Sequence, residues 1–224
     1  FERVTASTDL WLVDASWDHL LEVASLPDTA PPAWNGFSKA YLVARSIAHI
    51  YVHAGDLSVL ASLMAADDLG LPGTLPLSNP PSVADDPSLP VVAALARDGF
   101  AEVRRTMAIV PQPAVTGAMD RLNSVSHTVV HLLGREDRYW GEELLGLGPS
   151  PRLVAAQALD PKNEALAVPW GEAIAAFDEV EGRLSEWLAS VDGAIGAQPW
   201  RHESSVGSQL ARSATHFFSH AGEM

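Results

Sequence analysis

Histidine pairs spaced four residues apart are the feature of this sequence best suited to chemistry. Three such pairs occur, His49/His53, His127/His131 and His216/His220. Random placement of the eight histidines would give only about 0.25 pairs at this spacing. On a helix, residues four apart lie one turn apart on nearly the same face, so both imidazoles can bind one cation. Neutral imidazole is a ligand for zinc, nickel, iron and copper, and further ligands must come from another segment.

The first and last pairs share their context, in "HIYVHAGDL" (His49–Leu57) and "HFFSHAGEM" (His216–Met224), which are offset by 167 positions. A lone pair of this kind is about as often an ordinary hydrogen-bonded pair as a metal site. The repetition favours a metal. Common descent of the two segments also explains it, so the two copies are not independent indications of metal binding.

Composition excludes several classes of function. The chain has no cysteine, so any metal must be held by imidazole and carboxylate. With 28 acidic and 14 basic side chains the formal net charge is −14, which disfavours nucleic acid as a partner. No uncharged apolar run approaches the roughly 20 residues that a membrane span needs. We therefore expect a cytoplasmic protein that binds neither nucleic acid nor membrane, although Phe1 is not an initiator methionine and a removed leader stays an alternative.

Apolar residues recur at spacings of three and four along most of the chain, which predicts an all-α fold. The first helix is capped by Thr8 or Asp9 and stops before Pro27, and a proline-rich segment at 68–90 separates the second helix from the third. The later helices are predicted at about 38–66, 91–110, 123–145, 170–191 and 203–224, with a connection at 146–168.

An internal repeat relates the two ends of the chain. Residues 8–57 and about 170–224 share one layout: an amphipathic helix, a loop with "PAW" (Pro32–Trp34) or "QPW" (Gln198–Trp200), and a helix with a histidine pair. Because "HAGDL" is followed by three more helical turns, we expect the last helix to continue beyond Met224 in the native gene.

Three segments resemble the DinB-like (damage-inducible) family of four-helix bundles. The segment "LNSVSHTVVHLLGREDRYW" (Leu122–Trp140) is similar to that family's second helix. The segment "GSQLARSATHFFSHAGEM" (Gly207–Met224) is similar to its fourth helix, and "AHIYVHAGDLSVLASLMAADDLGLPG" (Ala48–Gly73) to the fourth helix with the closing tail. The resemblance covers nearly the whole chain.

The resemblance implies a DinB-like four-helix bundle plus an additional helical hairpin from a partial first repeat. Residues 1–75 would be that partial repeat, with helices three and four and the tail. Residues 76–90 would be a proline-rich linker, and residues 91–224 the bundle.

The family's metal triad is one histidine from its second helix and two from its fourth, which matches His131, His216 and His220. Secondary candidates are His49, His53 and His127. The first two lack a second-helix partner in their own repeat; they are orphaned, share the helix at 123–145, or find a partner in another chain. Glu223, three residues after His220, is the candidate catalytic group, as an orienting carboxylate or a base; a role on the helix surface is the alternative.

The activity implied by the resemblance is that of a metal-dependent thiol S-transferase or hydrolase acting on a small molecule. The metal would be divalent, zinc or nickel first and iron as an alternative. Without cysteine, the thiol would be a soluble cosubstrate such as mycothiol or bacillithiol. The alternative is a non-catalytic metal- or ligand-binding stress-response module. A homodimer is an open alternative for the assembly.

Overall fold

A computed structural model describes residues 15–27, 36–63, 89–110, 123–158, 168–200 and 205–224. The described residues are helical apart from turns and two isolated bridges, Val23 with Ser38 and Pro199 with Ser205. This confirms the all-α prediction for the described part of the chain. The helices are α1 (Trp17–Leu21), α2 (Lys39–Leu63), α3 (Leu89–Ile109), α4 (Val125–Glu136), α5 (Pro151–Ala158), α6 (Trp170–Ser190), α7 (Gly193–Gly196) and α8 (Val206–Glu223).

Side-chain caps begin the helices that carry the candidate site. The Ser124 hydroxyl accepts a hydrogen bond from the His127 backbone N–H at 3.2 Å, and that of Ser205 accepts one from Ser208 at 3.1 Å. Each cap satisfies one of the N–H groups that a helix start leaves without a partner. Of the two residues before α4 with capping side chains, Asn123 and Ser124, Ser124 is the N-cap.

Four helices pack around a common apolar core. α3 contacts α6, α6 contacts α4, α4 contacts α8, and α8 contacts α3, which closes a ring. Phe100, Phe177 and Phe217 come from three of these helices and are each at most 3% exposed. The ring centroids of Phe100 and Phe217 lie 4.2 Å apart. Burying each such side chain contributes about 1.5–3 kcal/mol, so this core fixes how the helices face one another.

α2 lies against the outside of this ring, on α8 and α3. Its closest approach to α8 is at two glycines. A Cβ atom on Gly55 would collide with the Ser219 carbonyl oxygen, and one on Gly222 with that of Val52. Adding 167 to Gly55 gives Gly222, and adding 167 to Val52 gives Ser219, so the repeat exchanges the two contacts. The two copies of the His-Ala-Gly motif therefore cross around a local pseudo-twofold axis.

A π-helical segment, Asp137–Leu144, continues α4. The buried Asp137 anchors it: its carboxylate accepts a hydrogen bond from the Ser150 backbone N–H at 2.7 Å and forms an ion pair with Arg183 at 3.3 Å. Such segments change the direction in which successive side chains point along a helix. Sequence periodicity did not predict this segment.

Other boundaries differ modestly from those predicted. α3 begins at Leu89, inside the predicted linker, and α5 lies in the predicted connection at 146–168. The predicted cap at Thr8 or Asp9, the segment 32–34, the tail at 64–73 and the rest of the linker lie outside the described residues. Among the described helices, none combines the length and apolarity that crossing a bilayer requires.

Candidate metal centre

Three histidines meet where α4 packs against α8. His131 comes from α4, and His216 and His220 come from successive turns of α8. One ring nitrogen of each lies within 4.8 Å of the others. His220 is buried, His216 is half-buried, and His131 lies at the exposed mouth of the group. The structure thus brings together the three histidines that the resemblance implied.

The two α8 imidazoles are oriented by carboxylates. His220 Nδ1 lies 2.5 Å from Glu223 Oε2, and His216 Nδ1 lies 3.4 Å from Glu136 Oε1. A carboxylate accepts the Nδ1 proton, which leaves the lone pair of a neutral imidazole on Nε2. The two Nε2 atoms are 2.9 Å apart. Two imidazoles at this distance either share a proton in a hydrogen bond or, with both Nδ1 protons held by the carboxylates, present both Nε2 lone pairs to a common cation.

Glu136 is the carboxylate that supports His216, and it is fully buried. It also accepts a hydrogen bond from Trp140 Nε1 at 2.8 Å. Burial by itself raises the pKa of Glu136, but the hydrogen bond with His216 and the nearby Arg135 guanidinium outweigh it, so the pKa is lowered. Glu136 is therefore ionised at neutral pH and places a negative charge behind the candidate ligand.

Partial burial, together with the neighbouring His220, His216 and His127, lowers the pKa of His131 from 6.5 to about 4. Burial also lowers the pKa of His216, although its hydrogen bond to Glu136 opposes the shift. Both imidazoles are therefore neutral at pH 7. Neutral imidazole is the protonation state that binds a metal.

His127 lies one turn before His131 on α4, and the two rings are nearly parallel with centroids 6.4 Å apart. Its side chain is buried, and it is not one of the three histidines whose ligand atoms converge. It lines the cavity over the centre instead. That cavity, of about 320 Å³, is lined by Asn123, His127, Thr128, His131, His220 and Glu223.

A second cavity, of about 450 Å³, lies beside the first and shares His127 and His131 with it. Arg135, Arg138 and Tyr139 line its far side. The Arg135 guanidinium lies over the Tyr139 ring, 5.3 Å from its centroid. The space next to the three histidines is therefore bordered by two guanidinium groups, of which Arg135 also pairs with Glu136 and Arg138 with Glu143.

His49 and His53 form a separate pair on α2. Their Nε2 atoms are 3.2 Å apart, and His53 Nδ1 lies 3.0 Å from Asp56 Oδ2. Both side chains are exposed. Within the described ranges, no third histidine or carboxylate joins them to form a group of three. This pair has the local geometry of the α8 pair without a ligand from a neighbouring helix.

Sequence reasoning missed Glu136, Arg135 and Arg138. All three lie in "GREDRYW" (Gly134–Trp140), where charges of alternating sign are typical of ion pairs on a solvated helix surface. A signal was present, because Leu132, Leu133 and Trp140 surround Glu136 with apolar residues.

Comparisons with protein-family models, with curated proteins and with solved structures found no match to this chain.

Proposed function

We propose that this chain is a metal-dependent enzyme of the DinB-like kind, a thiol S-transferase or hydrolase acting on a small molecule. One observation carries the proposal: three imidazoles from two helices converge within 4.8 Å, and the two on α8 have their Nδ1 atoms on carboxylates. Ordinary core histidines need neither this convergence nor paired carboxylates.

The residues fit zinc or a similar divalent ion. With Zn–N bonds of about 2.1 Å, two ligands of one ion lie at most about 4.2 Å apart. The α8 pair is inside that limit, and the His131 nitrogen, within 4.8 Å, would have to move inward to complete the set. Three histidines would leave a tetrahedral zinc ion one further position for a thiolate or water. When bound, the metal supplies Lewis acidity, which lowers the pKa of a thiol or water in that position.

Glu223 is the group we assign to proton transfer. Its carboxylate contacts His220 and also lines the cavity above the three histidines. In this position it holds His220 in the tautomer that presents Nε2 to the metal. It is also near enough to the cavity to accept a proton from an entering thiol or water.

The neighbouring cavity supports an anionic substrate or cosubstrate. The guanidinium groups of Arg135 and Arg138 can bind a carboxylate and orient it beside the three histidines. The chain has no cysteine, so the thiol must come from solution. A low-molecular-weight thiol bearing carboxylates satisfies both requirements.

Turnover by the zinc- or nickel-loaded chain tests this proposal. A soluble thiol and a small electrophile are supplied, with the electrophile in matched carboxylate and neutral forms. We expect metal-dependent conjugation, and we expect Arg138→Gln to raise KM for the carboxylate form about tenfold, since a charge-assisted hydrogen bond is worth about 1.5–3 kcal/mol. Arg152→Gln, an exposed arginine outside both cavities, is the matched control.

The alternative is a non-catalytic module in which the metal only ties α4 to α8. A loaded protein that gains thermal stability from the metal, yet turns over neither thiol conjugation nor hydrolysis, would replace the enzyme proposal with this one.

A further inference from the structure

The exposed side of α2 carries an apolar seam. Ser46, Ile50, His53, Leu57 and Leu60 follow one another at spacings of four and three, the heptad pattern of helices that pair along their length. All five are exposed, with Ile50 66%, Leu57 56% and Leu60 53% accessible. The opposite side of α2, with Ala48 and Gly55, faces the rest of the molecule and is buried. Apolar residues in this pattern indicate a surface that packs against another helix.

The same positions are covered in the second copy of the repeat. Ile50 corresponds to Phe217, which is 1% exposed, and His53 corresponds to His220, which is 9% exposed. In α8 this face is buried where α4 and α3 pack against it. In α2 the equivalent face carries similar residues, and none of the described helices packs over it.

His53 belongs to this seam and His49 lies beside it, and among the described residues no further histidine or carboxylate completes a group of three with them. His49 and His53 bring their Nε2 atoms to 3.2 Å, and Asp56 lies against His53 Nδ1, so the His53 lone pair points to the same side as His49. Two imidazoles fill half of a tetrahedral zinc shell. A second identical pair would complete it.

Charge permits two copies to meet here. The chain carries a net charge of −14, so two copies repel each other over most of their surfaces. The charged side chains of α2 besides histidine are Lys39, Arg45 and Asp56, and the two cations pair with Glu22 and Asp98. The seam itself contains no acidic residue, so local like-charge repulsion between two copies is small there.

We propose that two copies of this chain pair through α2 and share one divalent transition metal, bound by His49 and His53 of each copy. An antiparallel pairing centred on His53 sets Ile50 of one copy against Leu57 of the other and Ser46 against Leu60. The resulting contact is the same on both copies, as a twofold dimer requires. The metal is bound only when both copies contribute, so association and metal binding are coupled.

Sedimentation of the full chain with and without zinc tests this inference. We expect a monomer in chelator and a dimer in zinc, with one zinc shared by two chains in addition to any held at the three-histidine centre. His53→Ala should lose the zinc-dependent dimer, and Leu57→Glu should weaken it. The matched controls are His19→Ala and Ile109→Glu, which change a histidine on α1 and an exposed apolar residue on α3.

Three results would overturn the inference: a monomer at saturating zinc, a dimer that survives both chelator and His53→Ala, or a second zinc held tightly by a monomer. The result is independent of the proposed function. His131→Ala should leave the zinc-dependent dimer intact, whereas His53→Ala should leave metal at the three-histidine centre.

Discussion

α2 and α8 carry the same sequence motif, a histidine pair followed by Ala-Gly and an acidic residue, in two different surroundings. In each, two histidines bring their Nε2 atoms together, at 3.2 Å on α2 and 2.9 Å on α8, and an acid three residues later lies against the second Nδ1. On α8 the pair meets His131 from α4 and is backed by the buried Glu136. On α2 the pair is exposed. The local sequence builds half of a site, and the neighbouring helix determines whether the other half is supplied.

The burial of equivalent positions extends this difference. Phe217 is 1% exposed on α8, whereas its counterpart Ile50 is 66% exposed on α2. Both are large apolar residues, so residue type alone does not distinguish them. A histidine pair on a helix is therefore a candidate ligand set, and burial with a third ligand turns it into a candidate centre.

The largest effect on stability should come from the glycines at which the two copies cross. Gly222→Ala places a methyl group against the Val52 carbonyl oxygen, which belongs to the backbone and cannot move away easily. We expect a loss of about 3 kcal/mol in the free energy of unfolding, measured in urea. Gly182→Ala is the matched control: it lies on the exposed side of α6 with nothing within 4 Å, and should stabilise by about 0.5–1 kcal/mol. Equal effects of the two substitutions would mean that α2 and α8 do not cross at this contact.

The next largest effect should come from the carboxylates behind the histidines. Glu136→Gln keeps the side-chain shape and an acceptor for Trp140 but removes the charge that faces His216. We expect the metal affinity of the chain to fall about 10–100-fold, measured by competition with a chromophoric chelator. Asp56→Asn makes the same change behind the exposed pair and should leave the metal affinity of the three-histidine centre unchanged. A larger loss from Asp56→Asn would reverse the ranking of the two pairs.

The smallest effect concerns pH. In the metal-free folded chain His131 has a pKa of about 4, whereas the unfolded chain takes up this proton near 6.5. Between these values the unfolded state binds more protons, so the contribution of His131 to stability decreases as the pH falls. We expect metal-free His131→Asn to lose less stability than the unsubstituted chain between pH 7 and pH 5, measured by urea unfolding. Equal losses of stability would show that folding does not lower the pKa of His131.

Much of this arrangement was predictable from the sequence, because periodicity and spacing are local. The all-α fold and most helix positions followed from apolar spacing. The π-helical segment did not, because it departs from the 3.6-residue period that identifies helices. Glu136 was missed since a carboxylate among alternating charges looks solvated until α8 packs over it. The difference in exposure between Ile50 and Phe217 depends on which helices cover them, and residue type alone does not predict it.

Metal content measured by elemental analysis tests the central claim most directly. His131, His216 and His220 should together hold one divalent transition metal per chain, in addition to any shared through α2. We therefore expect His131→Ala to lose the metal of this centre while keeping its helical circular dichroism. His127→Ala, one turn away on the same helix, should retain that metal. Loss of this metal from His127→Ala together with its retention by His131→Ala would contradict the account.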